Sequence, residues 1–186
     1  MHTLTLLVLT LVACGSPKLG DDSGLTTLDD TNDTQPTTDI TLFINEFMAS
    51  NSAWVFDESD PEDPWTPDWI EIYNPADVSV DLEDFTISDD LEEPDKHTLG
   101  DLSVPAGGFL LLYADGDPEL GDEHLGFKLN REEDAIGLFS PEGVPLDQIT
   151  YTDQVTDYSA ARIPNGGEFS LTADATPGAS NPSEAP

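Results

Sequence analysis

The order of apolar and polar positions divides the chain into three textures. Leu4 to Ala13 is an apolar run, about the length of a secretory signal core and far short of the roughly twenty residues a membrane-spanning helix needs. Residues 15 to 39 are rich in Gly, Ser, Pro, Thr and Asp and nearly empty of bulky apolar side chains. Such a stretch cannot bury enough surface to offset chain entropy, and it reads as a flexible tether. From Ile40 onward, apolar and aromatic residues come in short bursts separated by Gly, Pro, Asn and Asp. Their spacing of about ten residues is the signature of an all-β sandwich or barrel, not of βαβ units.

The bursts predict strands over Thr41–Met48, Trp69–Tyr73, Ser79–Leu82, Phe85–Ser88, His97–Leu99, Phe109–Tyr113, Leu125–Leu129, Ala135–Phe139, Leu146–Tyr151 and Ser159–Ile163. In Trp69-Ile70-Glu71-Ile72-Tyr73 the alternation is clear. Ile70 and Ile72 face the core, and Glu71 lies on the opposite face between two aromatics. Phe109 to Tyr113 is apolar at every position, as a central strand covered on both faces would be. Turn chemistry separates the strands at Pro105-Ala106-Gly107-Gly108, Ala114 to Pro118, Pro141-Glu142-Gly143 and Asn165-Gly166-Gly167. No long segment keeps a 3.6-residue apolar period, so helix is minor.

The single cysteine, Cys14, follows the apolar run directly in Leu11-Val12-Ala13-Cys14-Gly15. This context resembles the lipobox of bacterial lipoproteins, which implies cleavage before Cys14 and lipid attachment there. Residues 1–13 are then a lipoprotein signal peptide and 14–39 a lipidated acidic tether, and two or three acyl chains make a stable anchor where one does not. The segment before the apolar run, Met1-His2-Thr3, carries no Lys or Arg, a departure from the usual signal. In a Gram-negative host, Gly15 after the cysteine favours the outer membrane. The expected partner at this end is the lipid membrane, and the expected location is the outer membrane or surface of a bacterial cell.

Charge narrows the partners of the remaining chain. There are 39 Asp and Glu against five Lys and Arg, a formal net charge of −34. That field excludes nucleic acid, whose phosphates need clustered Lys and Arg. The acidity fits either solubility in salty surroundings or cation binding.

Several blocks follow one another in a telling order: Ile44-Asn45-Glu46-Phe47-Met48-Ala49-Ser50-Asn51, then Asp68 to Pro75, then Val80 to Asp90. Pro105-Ala106-Gly107-Gly108-Phe109, Tyr113 to Asp117, Phe127-Lys128-Leu129, Ala135 to Leu138 and Thr176-Pro177-Gly178-Ala179-Ser180-Asn181 complete the series. Together they resemble the bacterial branch of the lamin tail domain family, over residues 40–182, with 183–186 as a short C-terminal tail. The resemblance implies an immunoglobulin-like β-sandwich that serves as a non-catalytic interaction module.

Chemistry is sparse. The chain after Cys14 has two histidines, His97 and His124, and shows no nucleophile elbow, zinc-protease motif or phosphate loop. The leading candidate is calcium, a hard cation that takes six to eight oxygen ligands. Asp115, Asp117 and Asp122 are the expected ligands, with Glu119 and Glu123 close behind; a solvated acidic loop is the alternative. A second acidic run spans Asp57 to Asp63, with Asp89 and Asp90 as spatial neighbours. Trp54, Trp65 and Trp69 gather around the long loop from Asn51 to Pro67, where they either bind a glycan or peptide or cover the sandwich edge. The sequence thus points to a membrane-anchored lipoprotein presenting a lamin-tail sandwich to a protein or glycan partner, with calcium assisting. A structural envelope protein without a soluble ligand, or an accessory to a secreted hydrolase, is the alternative.

Overall fold

The computed structural model describes residues 40–184 apart from 58, 60, 61 and 63. Cys14 and the tether expected before Ile40 lie outside the described residues. Within them the order is β1 (Phe43–Met48), β2 (Trp69–Tyr73), β3 (Val80–Asp81), β4 (Thr86–Ser88), β5 (His97–Thr98), β6 (Ser103–Val104), β7 (Phe109–Tyr113), β8 (Glu133–Phe139), β9 (Pro145–Thr152), β10 (Ser159–Ile163) and β11 (Glu168–Thr172). No helix occurs among the described residues.

A five-stranded sheet, β11-β10-β1-β2-β7, faces a four-stranded one, β5-β4-β8-β9, and β3 and β6 form a short third ladder. All ladder pairs within these sheets are antiparallel. Ile44, Phe47, Ile70, Ile72 and Leu112 from the first sheet pack with Ile87, Ile136, Leu138 and Tyr151 from the second in one continuous core. This is an all-β sandwich, one of the two architectures the strand spacing predicts, and of the immunoglobulin-like kind that the resemblance implies.

The register of β1 contains one irregularity with structural consequences. Ile44 pairs with Ile72 and Glu46 with Glu71, which leaves Asn45 as the extra residue of a β-bulge. A bulge frees backbone groups from the ladder, and buried ones must find other partners. The Ile44 amide donates to Asp147 Oδ2 at 2.9 Å, and Arg162 Nε donates to the Ile44 carbonyl at 2.9 Å. Arg162 Nη2 also holds both oxygens of Asp147, at 3.1 and 2.9 Å, and so ties the two sheets together around the bulge.

Two predicted elements differ, and two strands were not predicted. Phe109–Tyr113 is an edge strand and not a central one. Its apolar character is used because Leu110 and Leu112 point to the core while Leu111 and Tyr113 pack against a second cluster on the outer face. Leu125–Leu129 is no strand: Leu125, Phe127 and Leu129 are buried, but the segment meets β7 and its loop only through isolated bridges, Tyr113 to His124 and Asp115 to Lys128. Strands β6 and β11 were not expected from the pattern. Residues 168–172 carry two apolar side chains, Phe169 and Leu171, too few to stand out.

Candidate functional site

The loop from Asn51 to Pro67 is long for a compact sandwich, and Asn51 fixes both its ends. Asn51 Nδ2 donates to the carbonyls of Trp54 and Pro67, both at 2.8 Å, and Oδ1 accepts the Trp54 amide at 2.9 Å. Further along, two backbone hydrogen bonds cross the loop: the Phe56 amide donates to the Trp65 carbonyl at 3.0 Å, and the Trp65 amide donates to the Asp57 carbonyl at 3.1 Å. A second clamp comes from the turn before β10. Exposed Asp157 accepts the amides of Ser52 and Ala53 at 2.7 and 2.9 Å, and these bonds, led by the Ser52 amide, hold its carboxyl below the usual range. These bonds tie the two described ends of the loop, 51–57 and 64–67, to each other and to the sandwich.

Beneath this rim a cavity of about 340 Å³ opens at the end of the sandwich, lined among others by Trp65, Pro67, Asp68, Asp115 and Lys128. Trp65 is held between neighbours: its ring lies 4.6 Å from Tyr113, 6.3 Å from Phe56 and 5.3 Å from His124, the last in a stacked arrangement. Asp68 Oδ1 accepts the Asn51 amide at 2.9 Å. Burial pushes the Asp68 carboxyl up to about 6, against the opposing pull of that hydrogen bond and of the Lys128 ammonium. Asp115 spans two partners: Oδ2 lies 2.6 Å from His124 Nδ1, and Oδ1 accepts the Asp117 amide at 3.0 Å.

The outer face of the five-stranded sheet holds a second polar assembly. Glu46 and Glu71, directly opposite each other on β1 and β2, are both wholly buried. They are covered by the segment Thr176 to Asn181, which arrives through a turn. Pro177 and Gly178 occupy its central positions, Gly178 has φ of 79°, and the Ala179 amide reaches back to the Thr176 carbonyl at 2.9 Å. This is the geometry in which glycine is favoured at the third position. The Gly178 amide donates to Glu71 Oε2 at 2.7 Å, and Thr176 Oγ1 donates to Glu46 Oε2 at 2.9 Å. Ser159 Oγ supplies a further donor to Glu46, and Asn45 Nδ2 one to Glu71 at 3.0 Å. Desolvation still dominates: it pushes Glu71 up to about 7 and raises Glu46 above the usual carboxylate range. Asn181 completes the lock, donating through Nδ2 to the carbonyls of Asn45 at 3.3 Å and Arg162 at 2.9 Å.

A family model for the lamin tail domain matches residues 35–153. The chain belongs to the lamin tail domain family. No curated protein and no solved structure matches it. In this lamin tail domain the matched span ends near the close of β9, yet β10, β11 and the Thr176–Asn181 turn complete the five-stranded sheet and seal its outer face.

The structure gathers the sequence candidates unevenly. Asp115 lines the cavity, whereas Asp117 and Asp122 are exposed. No three His, Cys, Asp or Glu side chains converge as a metal-holding group among the described residues. Asp89 pairs with Lys96, and the acidic run from Asp57 lies partly outside the described residues. Trp69 is wholly buried against Met48 and Ala175, with Trp54 packed on the same cluster, so these two indoles cover the sheet. Trp65 alone of the three lines the cavity. Asp68, Lys128 and the Asp115–His124 pair were not read as one site from the sequence. Asp68 and Asp115 meet because β2 and β7 pair from Trp69–Tyr113 onward, and isolated bridges from Tyr113 to His124 and from Asp115 to Lys128 bring in the other two.

Proposed function

We propose that this lamin tail domain is a non-catalytic interaction module held at the bacterial cell envelope by lipid on Cys14, and that it engages a protein or glycan partner through the cavity at the end of the sandwich. The observation that carries the reading is the composition of that cavity. One half-buried indole, two carboxylates and one ammonium converge on a space of about 340 Å³, within the usual range of about 300–1,000 Å³ for ligand pockets. The apolar run directly before Cys14 supports the anchor, and the net charge of −34 weighs against phosphate backbones as partners.

Expression of the full chain in a Gram-negative host, fed an alkyne-bearing fatty acid, tests the anchor. The wild-type chain takes up label and sediments with the envelope; Cys14→Ser abolishes the label and releases the protein to the soluble fraction. Label retained by Cys14→Ser, or no label on either form, refutes the anchoring.

A further inference from the structure

We infer that the end cavity is a saccharide site, which accepts one neutral pyranose unit between Trp65 and the Asp68–Lys128–Asp115 wall. The inference rests on the interaction-module reading above and names its ligand class.

The walls discriminate among ligand chemistries. Two carboxylates stand against one ammonium in a chain of net charge −34, so anionic ligands are repelled. A cationic ligand gains little, because Lys128 already bears on Asp68 and His124 is hydrogen-bonded to Asp115. An extended peptide adding itself by backbone pairing needs a free row of amides and carbonyls. Here the rim is built from Pro64 and Pro67, which have no N–H, and the Pro67 carbonyl is taken by Asn51. A neutral polyol meets none of these obstacles. Its hydroxyls donate to the free lone pairs of Asp68 and Asp115 and accept from the Lys128 ammonium, and charge-assisted bonds of this kind are the strong ones.

The aromatic wall supplies the second half of the recognition. An indole presents a negative face, and the C–H face of a pyranose is its weakly positive, apolar complement. Trp65 meets Phe56 and Tyr113 edge to face and has one face stacked on His124. That leaves the other face for the sugar, and a ring so held loses little side-chain entropy on binding. Lys128 is positioned by Gly116, where an added Cβ would sit 3.2 Å from the lysine Cε. The stem of the lysine thus lies across the glycine and directs the ammonium along the cavity wall.

The test titrates the full chain with a panel of neutral hexoses, N-acetylhexosamines and their short oligomers, read by calorimetry and tryptophan emission. At least one saccharide is expected to saturate. Trp65→Ala is expected to weaken its binding tenfold or more, and Asp68→Asn and Lys128→Met severalfold each. Trp54→Ala, whose ring packs outside the cavity, leaves affinity unchanged. Melting curves establish which variants fold; if Trp65→Ala does not, Asp68→Asn and Lys128→Met decide. No saturation by any saccharide in the panel overturns the inference, as does affinity untouched by both of those variants. A chain that binds no saccharide but crosslinks to an envelope protein through a photoreactive residue at Thr66 overturns the saccharide assignment and leaves the module reading standing. A chain that does neither overturns both.

Discussion

The buried pair Glu46 and Glu71 makes a pH dependence that can be worked out in advance. Glu71 stands at about 7 in the folded chain against 4.5 for a free glutamate. At about 1.4 kcal/mol for each tenfold in proton affinity, the difference is about 3 kcal/mol. The folded state binds its proton more tightly than the unfolded one. The contribution is therefore fully present below pH 4.5 and is lost as pH rises through 7. Glu71→Gln removes the Glu71 titration, leaves that of Glu46, and places an amide where two donors, Asn45 Nδ2 and the Gly178 N–H, now converge. A donor facing a donor costs about 1–3 kcal/mol at any pH. The variant should be the less stable of the two at pH 5 and should close or reverse that gap by pH 8. Self-repulsion in so acidic a chain also weakens folding as pH rises, but it is common to both proteins and cancels in their difference. Urea unfolding of the full chain, followed by tryptophan emission between pH 5 and 8, measures that difference directly. At about 2–4 °C per kcal/mol for a domain of this size, melting temperatures should converge by about 6–12 °C over the same interval. Parallel curves for the two proteins would refute the assignment of the titration to Glu71.

Two further predictions concern other parts of the molecule. Asp147→Ala strips Arg162 of its carboxylate and leaves the Ile44 amide without an acceptor; thermal unfolding should show a loss of about 3–5 kcal/mol, and a loss below about 1 kcal/mol would show that the bulge is held by other means. A native-only calcium site would add about 2.7 kcal/mol at one hundred times its dissociation constant. With Asp115 engaged by His124 and Asp117 and Asp122 exposed, calcium should raise the melting temperature no more than matched magnesium; a calcium-specific rise would reverse this expectation.

How much of this was legible in the sequence depends on how far apart the cooperating residues lie. Strands with strong local alternation announced themselves, and the bounds of Trp69–Tyr73, Phe109–Tyr113 and Ser159–Ile163 coincide with those observed. The segment from Leu125 to Leu129 misled because its alternation serves burial without a ladder. Glu71 was read correctly as facing away from the core, but a carboxylate at an outward position reads as solvated. Its burial depends on Gly178, 107 positions away, just as that of Glu46 depends on Thr176, 130 positions away. The block Thr176 to Asn181 was visible as a motif, but nothing local says what its freed amides bind. The cavity was half visible: the long loop and Trp65 drew notice, whereas Asp68 looks like an ordinary strand-flanking charge until β2 and β7 are paired, and Lys128 joins it only through the bridge to Asp115.

The placement of the two polar assemblies has a functional consequence. The Thr176–Asn181 lock occupies the outer face of the central strands, where an exposed sheet could otherwise recruit a partner. It covers Glu46 and Glu71, while Ala175 packs on Met48 and Trp69. On the reading proposed above, recognition then falls to the end of the sandwich, away from this covered face. That end is specific in direction. The described chain begins at Ile40, ahead of the first residue of β1, whereas the cavity rim begins beyond its last residue, Met48. Six strand residues at about 3.3 Å each put about 20 Å between the two. The lipid anchor proposed at Cys14 would enter the domain at the start of β1, the end of that strand away from the cavity rim. An anchor at the C-terminal segment would instead load the lock itself, whose hydrogen bonds at Glu46 and Glu71 keep the sheet face closed.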